Sequence, residues 1–406
     1  MDAVDVPSLA ALLGVAQERA TMKRLLFLIS EDWYFWSHRL SLARAAVAAG
    51  YEVALATRVS RYQAAIEEQK IRVYPLQWFE RASAMPGREL ATIVELLRIY
   101  RDFRPCVAHH VALKPVIYGT LAARLTGVPT IVNALAGLGF VFQSRSLSAR
   151  ILRPLVVRTL RFTLNPRNGC VIVQNDADRQ ALVDQRLAIA DRIEIIRGSG
   201  VDLAQFVATP EPQGVPIVVL PARMLWDKGV REFVEAARIL RSAAVAARFV
   251  LVGQPDRQNP HSLARSQLQA WVHEAAVEWW GLRLDMPAVL AHSTVVCLPS
   301  YHEGLPKVLL EAAACARPIV ATDIPGCREI AHAGQNALLV PVGDARGLAN
   351  AIQTLLANPQ MRHDFGACGR RIVEQQFSDQ LVAERTLALY ARLLGSTAPA
   401  IAGHCT

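Results

Sequence analysis

The sequence predicts an α/β protein that consists of two doubly wound halves, each with a parallel sheet. Short apolar runs typical of buried strands alternate with helical runs over residues 24–196, and the alternation restarts at residue 216 and continues to about residue 377. This alternation favours parallel sheets with helices on both faces. Between the halves, residues 201–215 carry two prolines, one glycine and few periodic apolar residues, which indicates a linker.

The first half begins with a strand at residues 24–29 and a helix at 37–49, which Gly50 ends as the first residue beyond it. Further apolar runs predict strands at residues 51–56, 71–76, 106–109, 129–134, 170–174 and 193–196, and helical runs at 90–100 and 116–125.

The second half begins with a strand at residues 216–220, followed by an amphipathic helix at 230–240. Later runs predict strands at 278–280, 294–298 and 317–323 and helices at 307–315 and 379–394. Ligands of doubly wound sheets bind at the carboxyl ends of the strands, so the loops after these strands are the candidate binding segments.

Composition limits the class of protein and its partners. The chain has 406 residues, 52% of them hydrophobic, and a net charge of +9, which is compatible with phosphate-rich, nucleic-acid or membrane-surface partners. Its seven cysteines form no Cys-x-x-Cys motif and indicate reduced thiols in a cytosolic protein. No apolar run reaches about 18 residues, and residues 1–22 lack the basic start of a secretory signal, so we expect them to be an extension.

The most informative stretch is residues 300–311, Ser-Tyr-His-Glu-Gly-Leu-Pro-Lys-Val-Leu-Leu-Glu. Glu303 is expected on a strand-to-helix turn, and Glu311 about two turns into a helix that Pro306 opens. The backbone N–H groups of Gly304 and Leu305 would point out of the helix N-terminus, which suits an anion. Two carboxylates flanking free amides would suit a nucleotide sugar, although carboxylates eight residues apart are also common on solvated helices.

Arg223 and Lys228 bracket the loop that leads into the helix at 230–240. Two cations and a helix dipole suit a diphosphate, because negative charge builds on the leaving phosphate as a glycosidic bond breaks. The alternative is an ordinary solvated surface loop.

Residues 299–330, with their Glu-seven residues-Glu spacing, and the Arg223 to Lys228-Gly229 loop resemble the retaining GT-B glycosyltransferases of family 4. The resemblance implies an α/β GT-B fold, with two doubly wound parallel-sheet domains facing a cleft, and a metal-independent reaction without a cofactor. It further implies catalytic roles for Arg223, Lys228 and Glu303 and donor binding by Glu311, Gly304, Leu305 and Gly253.

The resemblance also implies a division of the chain. We expect an acceptor-binding domain at residues 23–200, the linker at 201–215 and a nucleotide-sugar-binding domain at 216–377. A helix at 378–395 would cross back to the first domain, and residues 396–406 would form a tail.

Asp176-Ala177-Asp178 matches the metal-binding Asp-x-Asp of a different glycosyltransferase fold, GT-A. Here the motif follows a predicted strand and opens a helix, where Asn175 and Asp176 are good capping residues. We therefore predict no metal site.

Candidate acceptor residues lie in the first half. His109 and His110 follow a predicted strand, and they are interpreted either as acceptor contacts or as structural residues. The loop at residues 133–140, with Gly137 and Gly139, resembles the subgroup that builds polyprenyl-diphosphate-linked glycans, capsule and O-antigen. Many members of that subgroup have a histidine where this chain has Ala136.

Residues 142–169 contain no acid and several arginines interleaved with apolar residues. A helix of this composition fits an anionic membrane surface, and a helix packed on the sheet is the alternative. Nucleic-acid binding is disfavoured because no nucleic-acid-binding motif accompanies the arginines. The residues expected to contact the membrane are Arg145, Arg150, Arg153, Arg158 and Arg161.

These expectations describe a cytoplasmic retaining glycosyltransferase, peripherally associated with the inner face of the cell membrane. It would move a sugar, an N-acetylhexosamine from a UDP-sugar, onto a polyprenyl-diphosphate-linked saccharide in the synthesis of bacterial surface glycan or lipid-linked oligosaccharide. The alternatives are a GT-B nucleotide-sugar epimerase and a catalytically inactive GT-B scaffold.

Overall fold

A computed structural model describes residues 23–80, 85–135, 157–256 and 258–396 of the chain. Its strands form two sheets of seven and six strands. Every strand pairing resolved between named strands is parallel. The predicted alternation of strands and helices is confirmed in both halves.

The first sheet has the strand order β3-β2-β1-β4-β5-β6-β7. Its strands are β1 (Arg24–Glu31), β2 (Glu52–Arg58), β3 (Ile71–Pro75), β4 (Val107–Val111), β5 (Thr130–Ala134), β6 (Gly169–Val173) and β7 (Ile193–Ile195). The helices of this part are α1 (Asp32–His38), α2 (Leu40–Ala48), α3 (Gln63–Glu67), α4 (Pro86–Phe103), α5 (Leu113–Leu125) and α6 (Asp176–Asp184). Residues 157–164 are also helical.

The second sheet has the strand order β10-β9-β8-β11-β12-β13. Its strands are β8 (Ile217–Pro221), β9 (Arg248–Val252), β10 (Glu278–Trp279), β11 (Val295–Leu298), β12 (Ile319–Thr322) and β13 (Ala337–Val340). The helices are α7 (Val230–Ser242), α8 (Arg265–His273), α9 (Met286–Ala291), α10 (Lys307–Ala314), α11 (Pro325–Arg328), α12 (Ala345–Ala357), α13 (Pro359–Gln376) and α14 (Asp379–Ser396).

The second sheet is covered on both faces, as a parallel sheet requires. Because side chains alternate along a strand, Val219 of β8 and Val296 of β11 pack into one apolar cluster. Their neighbours Val218 and Val295 pack into another. Burial on both faces explains why these strands are continuous apolar runs in the sequence.

The chain divides into two compact units. One comprises Met1–Asn133, Pro166–Cys170 and Leu387–Thr406, and the other comprises Ala134–Asn165 and Val171–Thr386. Within the described residues, no helix is long and apolar enough to cross a membrane.

Candidate functional site

Each sheet has one place where the strand order reverses direction. In the second sheet this switch point lies between β8 and β11, which are neighbours although many residues separate them in the chain. Ligands of open α/β sheets bind outside the carboxyl ends of the strands at such a point. Two loops leave the sheet there, residues 222–229 after β8 and residues 299–306 after β11.

Lys228 and Glu303 bring these two loops together. Nζ of Lys228 donates a hydrogen bond to Oε1 of Glu303 over 2.5 Å. Their side chains are only 16% and 13% exposed. A charge-assisted bond of this length, shielded from solvent, fixes the ammonium group at the switch point.

The backbones of the two loops are also in direct contact. The Tyr301 N–H donates to the Asp227 carbonyl oxygen over 2.9 Å. Gly229 has a left-handed φ of 68°, and a Cβ atom at this position would collide with the carbonyl group of Pro299. Only glycine permits both this conformation and this approach, so Gly229 explains how the loop can lie against its neighbour.

Gly304 and Leu305 lie in the second loop, just before α10, and both are buried. The Asn175 side-chain amide donates to the Gly304 carbonyl oxygen over 2.8 Å, which orients this peptide. Gly326 packs against the carbonyl oxygens of Glu303 and Gly304, where a side chain would not fit. Over the described residues, the N–H groups of Gly304 and Leu305 donate no hydrogen bond, so both are available to an anion.

Glu311 lies on α10 and is 9% exposed. Burial raises the pKa of its carboxyl group, and Lys307 partly opposes this rise. Nζ of Lys307 lies 3.4 Å from Oε1 of Glu311, one helical turn away. A buried carboxyl group beside a loop of available amides can accept hydrogen bonds from the hydroxyls of a ligand.

Arg223 lies at the start of the first loop, directly after β8 and Ala222. Its Nη1 donates to Oδ2 of Asp256 over 2.8 Å, and its side chain is 43% exposed. Gly253, at the end of β9, has a φ of 139° and lies against the carbonyl group of Ala222, where a Cβ atom would collide. The Gly253 carbonyl oxygen accepts a hydrogen bond from the indole of Trp279 over 2.8 Å. Gly253 therefore shapes the base of the Arg223 loop.

The two loops and α10 carry two cations, two available amides and two carboxylates. Lysine and arginine at the end of parallel strands, near a helix N-terminus, can neutralise a diphosphate. The structure brings together Lys228, Glu303, Gly304 and Leu305, all of which the sequence singled out. The sequence did not reveal that Asp256 holds Arg223, or that Asn175, which was predicted only as a helix cap, also holds Gly304, because these partners are distant in the chain.

The Asp176-x-Asp178 motif has capping and ion-pair partners. The Asn175 side chain accepts a hydrogen bond from the Asp178 N–H over 2.7 Å, which confirms the predicted helix cap. Asp176 forms an ion pair with Arg197 over 3.1 Å. In the part of the chain that the structure describes, no group of three or more His, Cys, Asp or Glu side chains is suited to holding a metal ion.

β4 continues to Val111, two residues beyond the predicted strand end at residue 109, so both histidines lie within the strand. His110 contacts the Tyr100 hydroxyl over 2.8 Å and Oδ1 of Asn133 over 2.7 Å, so both its ring nitrogens have partners. Burial lowers the pKa of His110 to about 4, although the Asn133 contact opposes this shift. His110 is thus a neutral ring in a buried polar network.

His109 points to the opposite face of the sheet, because neighbouring side chains of a strand alternate. Its Nδ1 contacts the hydroxyl of Tyr390, and its Nε2 is buried without a hydrogen-bond partner. Burial lowers the pKa of His109 well below its ordinary value, and the positive charge of Arg39 adds to this effect.

Several predicted residues lie outside the described part of the chain, namely Gly137, Gly139, Arg145, Arg150 and Arg153. Arg158 and Arg161 are exposed on the helical residues 157–164, whereas Leu160 and Leu164 are buried. Phe162 is 48% exposed on the same segment. The described part of the basic stretch is therefore an amphipathic helix.

Comparison with known proteins defines the class. A family described as "Glycosyl transferase 4-like" matches residues 24–175, and one described as "Glycosyl transferases group 1" matches residues 215–358. Together the two matches cover more than half of the chain, including the switch points of both sheets. The protein is therefore a glycosyltransferase. The chain belongs to the GT-B glycosyltransferases of family 4, as the resemblance in its sequence indicated.

Among sequence relatives, the chain is 28% identical over 338 residues to the N,N'-diacetylbacillosaminyl-diphospho-undecaprenol alpha-1,3-N-acetylgalactosaminyltransferase of Campylobacter jejuni, covering 80% of this chain and 86% of the relative. It is 26% identical to the putative glycosyltransferase EpsD of Bacillus subtilis, covering 91% and 96%. A capsular polysaccharide glycosyltransferase, CapM of Staphylococcus aureus, also matches. All three relatives are named as glycosyltransferases, in agreement with the family matches.

Among solved structures, sucrose-phosphate synthase from Thermosynechococcus elongatus superposes with a TM-score of 0.76 at 21% identity, covering 92% of this chain and all of that one. HepE from Anabaena in complex with UDP-glucose superposes with a TM-score of 0.71 at 18% identity, covering 92% and 99%. At these identities the likeness concerns the fold, and it confirms the predicted GT-B architecture.

Proposed function

We propose that this protein is a retaining, metal-independent glycosyltransferase that moves an N-acetylhexosamine from a UDP-sugar to a polyprenyl-diphosphate-linked saccharide. The observation that carries the proposal is the 2.5 Å contact between Lys228 and Glu303 at the switch point of the second sheet. This contact supports a donor site at the carboxyl end of the sheet, where a cation and a carboxylate lie next to the loop that carries the Gly304 and Leu305 amides.

The reaction needs stabilisation of the charge on the departing nucleotide diphosphate. Arg223 and Lys228 would bind the two phosphates, and the Gly304 and Leu305 amides would complete the diphosphate site. Glu303 would lie near the donor sugar. These cations and amides perform the neutralisation that a divalent metal supplies in other transferases.

The remaining donor contacts are those that the family resemblance implies. Glu311 would accept hydrogen bonds from the ribose hydroxyls, and Gly253 would admit the base at the end of β9. HepE, which has a similar fold, was crystallised with UDP-glucose. That complex supports a UDP-sugar as the donor of this chain.

For the acceptor, support comes from the Campylobacter relative, whose name specifies a diphospho-undecaprenol acceptor and N-acetylgalactosamine transfer. We propose the same classes of acceptor and sugar here. Residues 23–200 would bind the acceptor and residues 216–377 the donor, with 201–215 as the linker and 378–395 returning to the first domain. His109, His110, Gly137 and Gly139 are the proposed acceptor-side residues, and His109 is the one with an unpartnered ring nitrogen.

Such an acceptor lies in a bilayer, so the enzyme must reach the membrane surface. We propose that it works peripherally on the inner face of the cell membrane. Arg158 and Arg161 are exposed beside the exposed ring of Phe162, which fits contact with an anionic surface. We propose Arg145, Arg150 and Arg153 as further membrane contacts, from the sequence alone.

The test is turnover of a panel of UDP- and GDP-sugars with a polyprenyl-diphosphate saccharide. We expect release of UDP and transfer of the sugar to the lipid fraction for a UDP-N-acetylhexosamine. Turnover of the nucleotide sugar without any lipid product would instead favour an epimerase or a hydrolase, and absence of turnover with every donor would favour an inactive scaffold.

A further inference from the structure

Tyr301 connects the two loops at the switch point of the second sheet. Its backbone N–H donates a hydrogen bond to the Asp227 carbonyl oxygen over 2.9 Å. Its hydroxyl donates to Oε1 of Glu232, also over 2.9 Å. Asp227 directly precedes Lys228 in the first loop, and Glu232 lies in the first turn of α7, which follows that loop. Tyr301 therefore holds the second loop at two points on the segment that carries Lys228.

The hydroxyl of Tyr301 also lies beside a third element. A Cβ atom at Gly343, in the turn before α12, would lie 3.6 Å from it. Burial raises the pKa of Tyr301, and both the hydrogen bond to Glu232 and the charge of that carboxylate raise it further. The charge of Arg231 opposes this rise. The hydroxyl thus stays protonated at neutral pH and remains a hydrogen-bond donor.

The contact with Tyr301 satisfies only one oxygen of Glu232. Its Oε2 is buried and has no hydrogen-bond partner within the described residues, and no cation there forms an ion pair with its carboxylate. A buried acceptor without a partner carries a free-energy cost, which an apolar side chain would avoid. Residues that lower stability in this way are typical of functional sites. The environment of Glu232 therefore indicates a role in the donor site rather than in folding.

We propose that Tyr301 and Glu232 are positioning residues that fix Lys228 and Glu303 for the donor diphosphate. The inference rests on the proposed function for the diphosphate, and it adds two residues to which the sequence motifs assign no role. Lys228 contacts Glu303 directly, and four residues further along the chain Glu232 accepts from Tyr301. These contacts restrict the movement of the Lys228 ammonium group. A cation held in this way can stabilise the charge of the leaving phosphate without reorganising during the reaction.

The first experiment compares stability with turnover in the double variant Tyr301→Phe with Glu232→Leu. Replacing both partners of a hydrogen bond by apolar groups of similar shape is neutral or stabilising, so we expect the urea midpoint of unfolding to stay the same or rise. We expect kcat to fall about 10- to 100-fold, the scale on which a misplaced catalytic group slows a reaction. If the midpoint falls and kcat stays at the wild-type value, the two residues are structural and the proposal is wrong.

Two variants serve as controls. Tyr74→Phe with Asp102→Leu makes the same chemical change in the first half, where the Tyr74 hydroxyl donates to Oδ2 of Asp102 over 2.5 Å. We expect wild-type kcat from this variant. Glu232→Gln keeps a side-chain oxygen that can accept from Tyr301, so it should retain most of the rate. A loss in Glu232→Gln as large as in the double variant would contradict a role for the hydrogen bond.

A double-mutant cycle tests whether the two residues act through Lys228. Lys228→Ala is combined with the double change at Tyr301 and Glu232, and kcat is measured for all four combinations. Residues that act as one unit give losses that do not multiply. We therefore expect little further loss when the double change is made in the Lys228→Ala background. Losses that multiply would mean that Tyr301 and Glu232 act independently of Lys228, and would overturn the proposal.

The last experiment needs no turnover. Inorganic pyrophosphate is titrated into the full chain, and its Kd is measured by calorimetry. We expect the Kd to rise about 10-fold in the double variant and to stay the same in the Tyr74 and Asp102 control. If pyrophosphate follows this pattern but the wild type transfers no sugar, the positioning role stands and the proposed function fails. If the wild type transfers sugar and the double variant matches it in kcat and Kd, the proposed function stands and the positioning role is wrong.

Discussion

Nζ of Lys228 lies 2.5 Å from Oε1 of Glu303, although 75 residues separate the two in the chain. The contact joins the loops after β8 and β11, the two strands at which the second sheet changes direction. Since Glu303 holds the ammonium group near the Gly304 and Leu305 amides, the pair defines the proposed donor diphosphate site.

The first prediction concerns the two cations of this site. Arg223→Ala or Lys228→Ala should each lower turnover about 10²-fold, the scale expected for losing one charge-stabilising donor. Lys228→Ala also leaves the Glu303 carboxylate, 13% exposed, without its partner, and should cost about 1–3 kcal/mol of stability. Steady-state rates and urea unfolding check both effects. Arg241→Ala, an exposed residue of α7, is the control. Wild-type turnover in both cation variants would show that Arg223 and Lys228 do not stabilise the leaving diphosphate.

A second prediction follows from the raised pKa of Glu311. As pH rises from the ordinary carboxyl pKa towards the raised one, the unfolded chain loses its proton first, so Glu311 lowers the free energy of unfolding. Glu311→Gln removes this penalty, and the stability difference in favour of the variant should grow across that pH window. Urea unfolding of both proteins from pH 4 to pH 8 measures it. A difference that does not change with pH would contradict the burial argument.

The third prediction concerns metals. In the proposed donor site, Arg223, Lys228 and two backbone amides neutralise the diphosphate, so the enzyme treated with a chelator should keep most of its rate. Turnover with and without added magnesium provides the measurement. A strict metal requirement would contradict this prediction. It would make Asp176 and Asp178 candidate metal ligands, and Asp178→Asn would then test whether they bind the metal.

The fourth prediction concerns the membrane. If the basic stretch at residues 142–169 lies on the bilayer, each arginine near an anionic surface should contribute about 1 kcal/mol. Replacing Arg150, Arg153 and Arg158 by glutamate should release the enzyme from anionic vesicles. It should slow transfer to a bilayer acceptor far more than transfer to a short, water-soluble analogue. Donor affinity should stay the same.

The control for this change is a triple glutamate variant of exposed arginines on other elements, Arg101, Arg241 and Arg371. It alters the net charge equally but leaves the basic stretch intact, so vesicle binding should persist. If both triple variants bind vesicles equally, the arginines of residues 142–169 do not hold the enzyme on the membrane.

Much of the fold could be predicted because the strands are buried on both faces. β8 and β11 are continuous apolar runs, and α10 begins directly after Pro306, as the sequence indicated. The end of β4 was missed, since His109 and His110 look like polar residues after a strand. They remain in the strand because Tyr100, Asn133 and Tyr390, which are distant in sequence, contact their rings.

The donor site was predictable in its residue types but not in its contacts. Lys228 and Glu303 stand out through their local motifs. Asp256 belongs to no motif and Asn175 was predicted only as a helix cap, so their contacts with Arg223 and Gly304 appear only in the fold. Arg39 is a second residue whose environment could not be predicted from the sequence. A single arginine between two helices is unremarkable in sequence, and only its burial without a counter-ion distinguishes it.

The most direct test of the account is the NMR spectrum of the product formed from an α-configured UDP-N-acetylhexosamine and a polyprenyl-diphosphate saccharide. We expect one new glycosidic linkage on the lipid-linked saccharide, with the α configuration of the donor retained and one UDP released for each sugar transferred. A β linkage, an epimerised nucleotide sugar or free sugar without lipid product would contradict it.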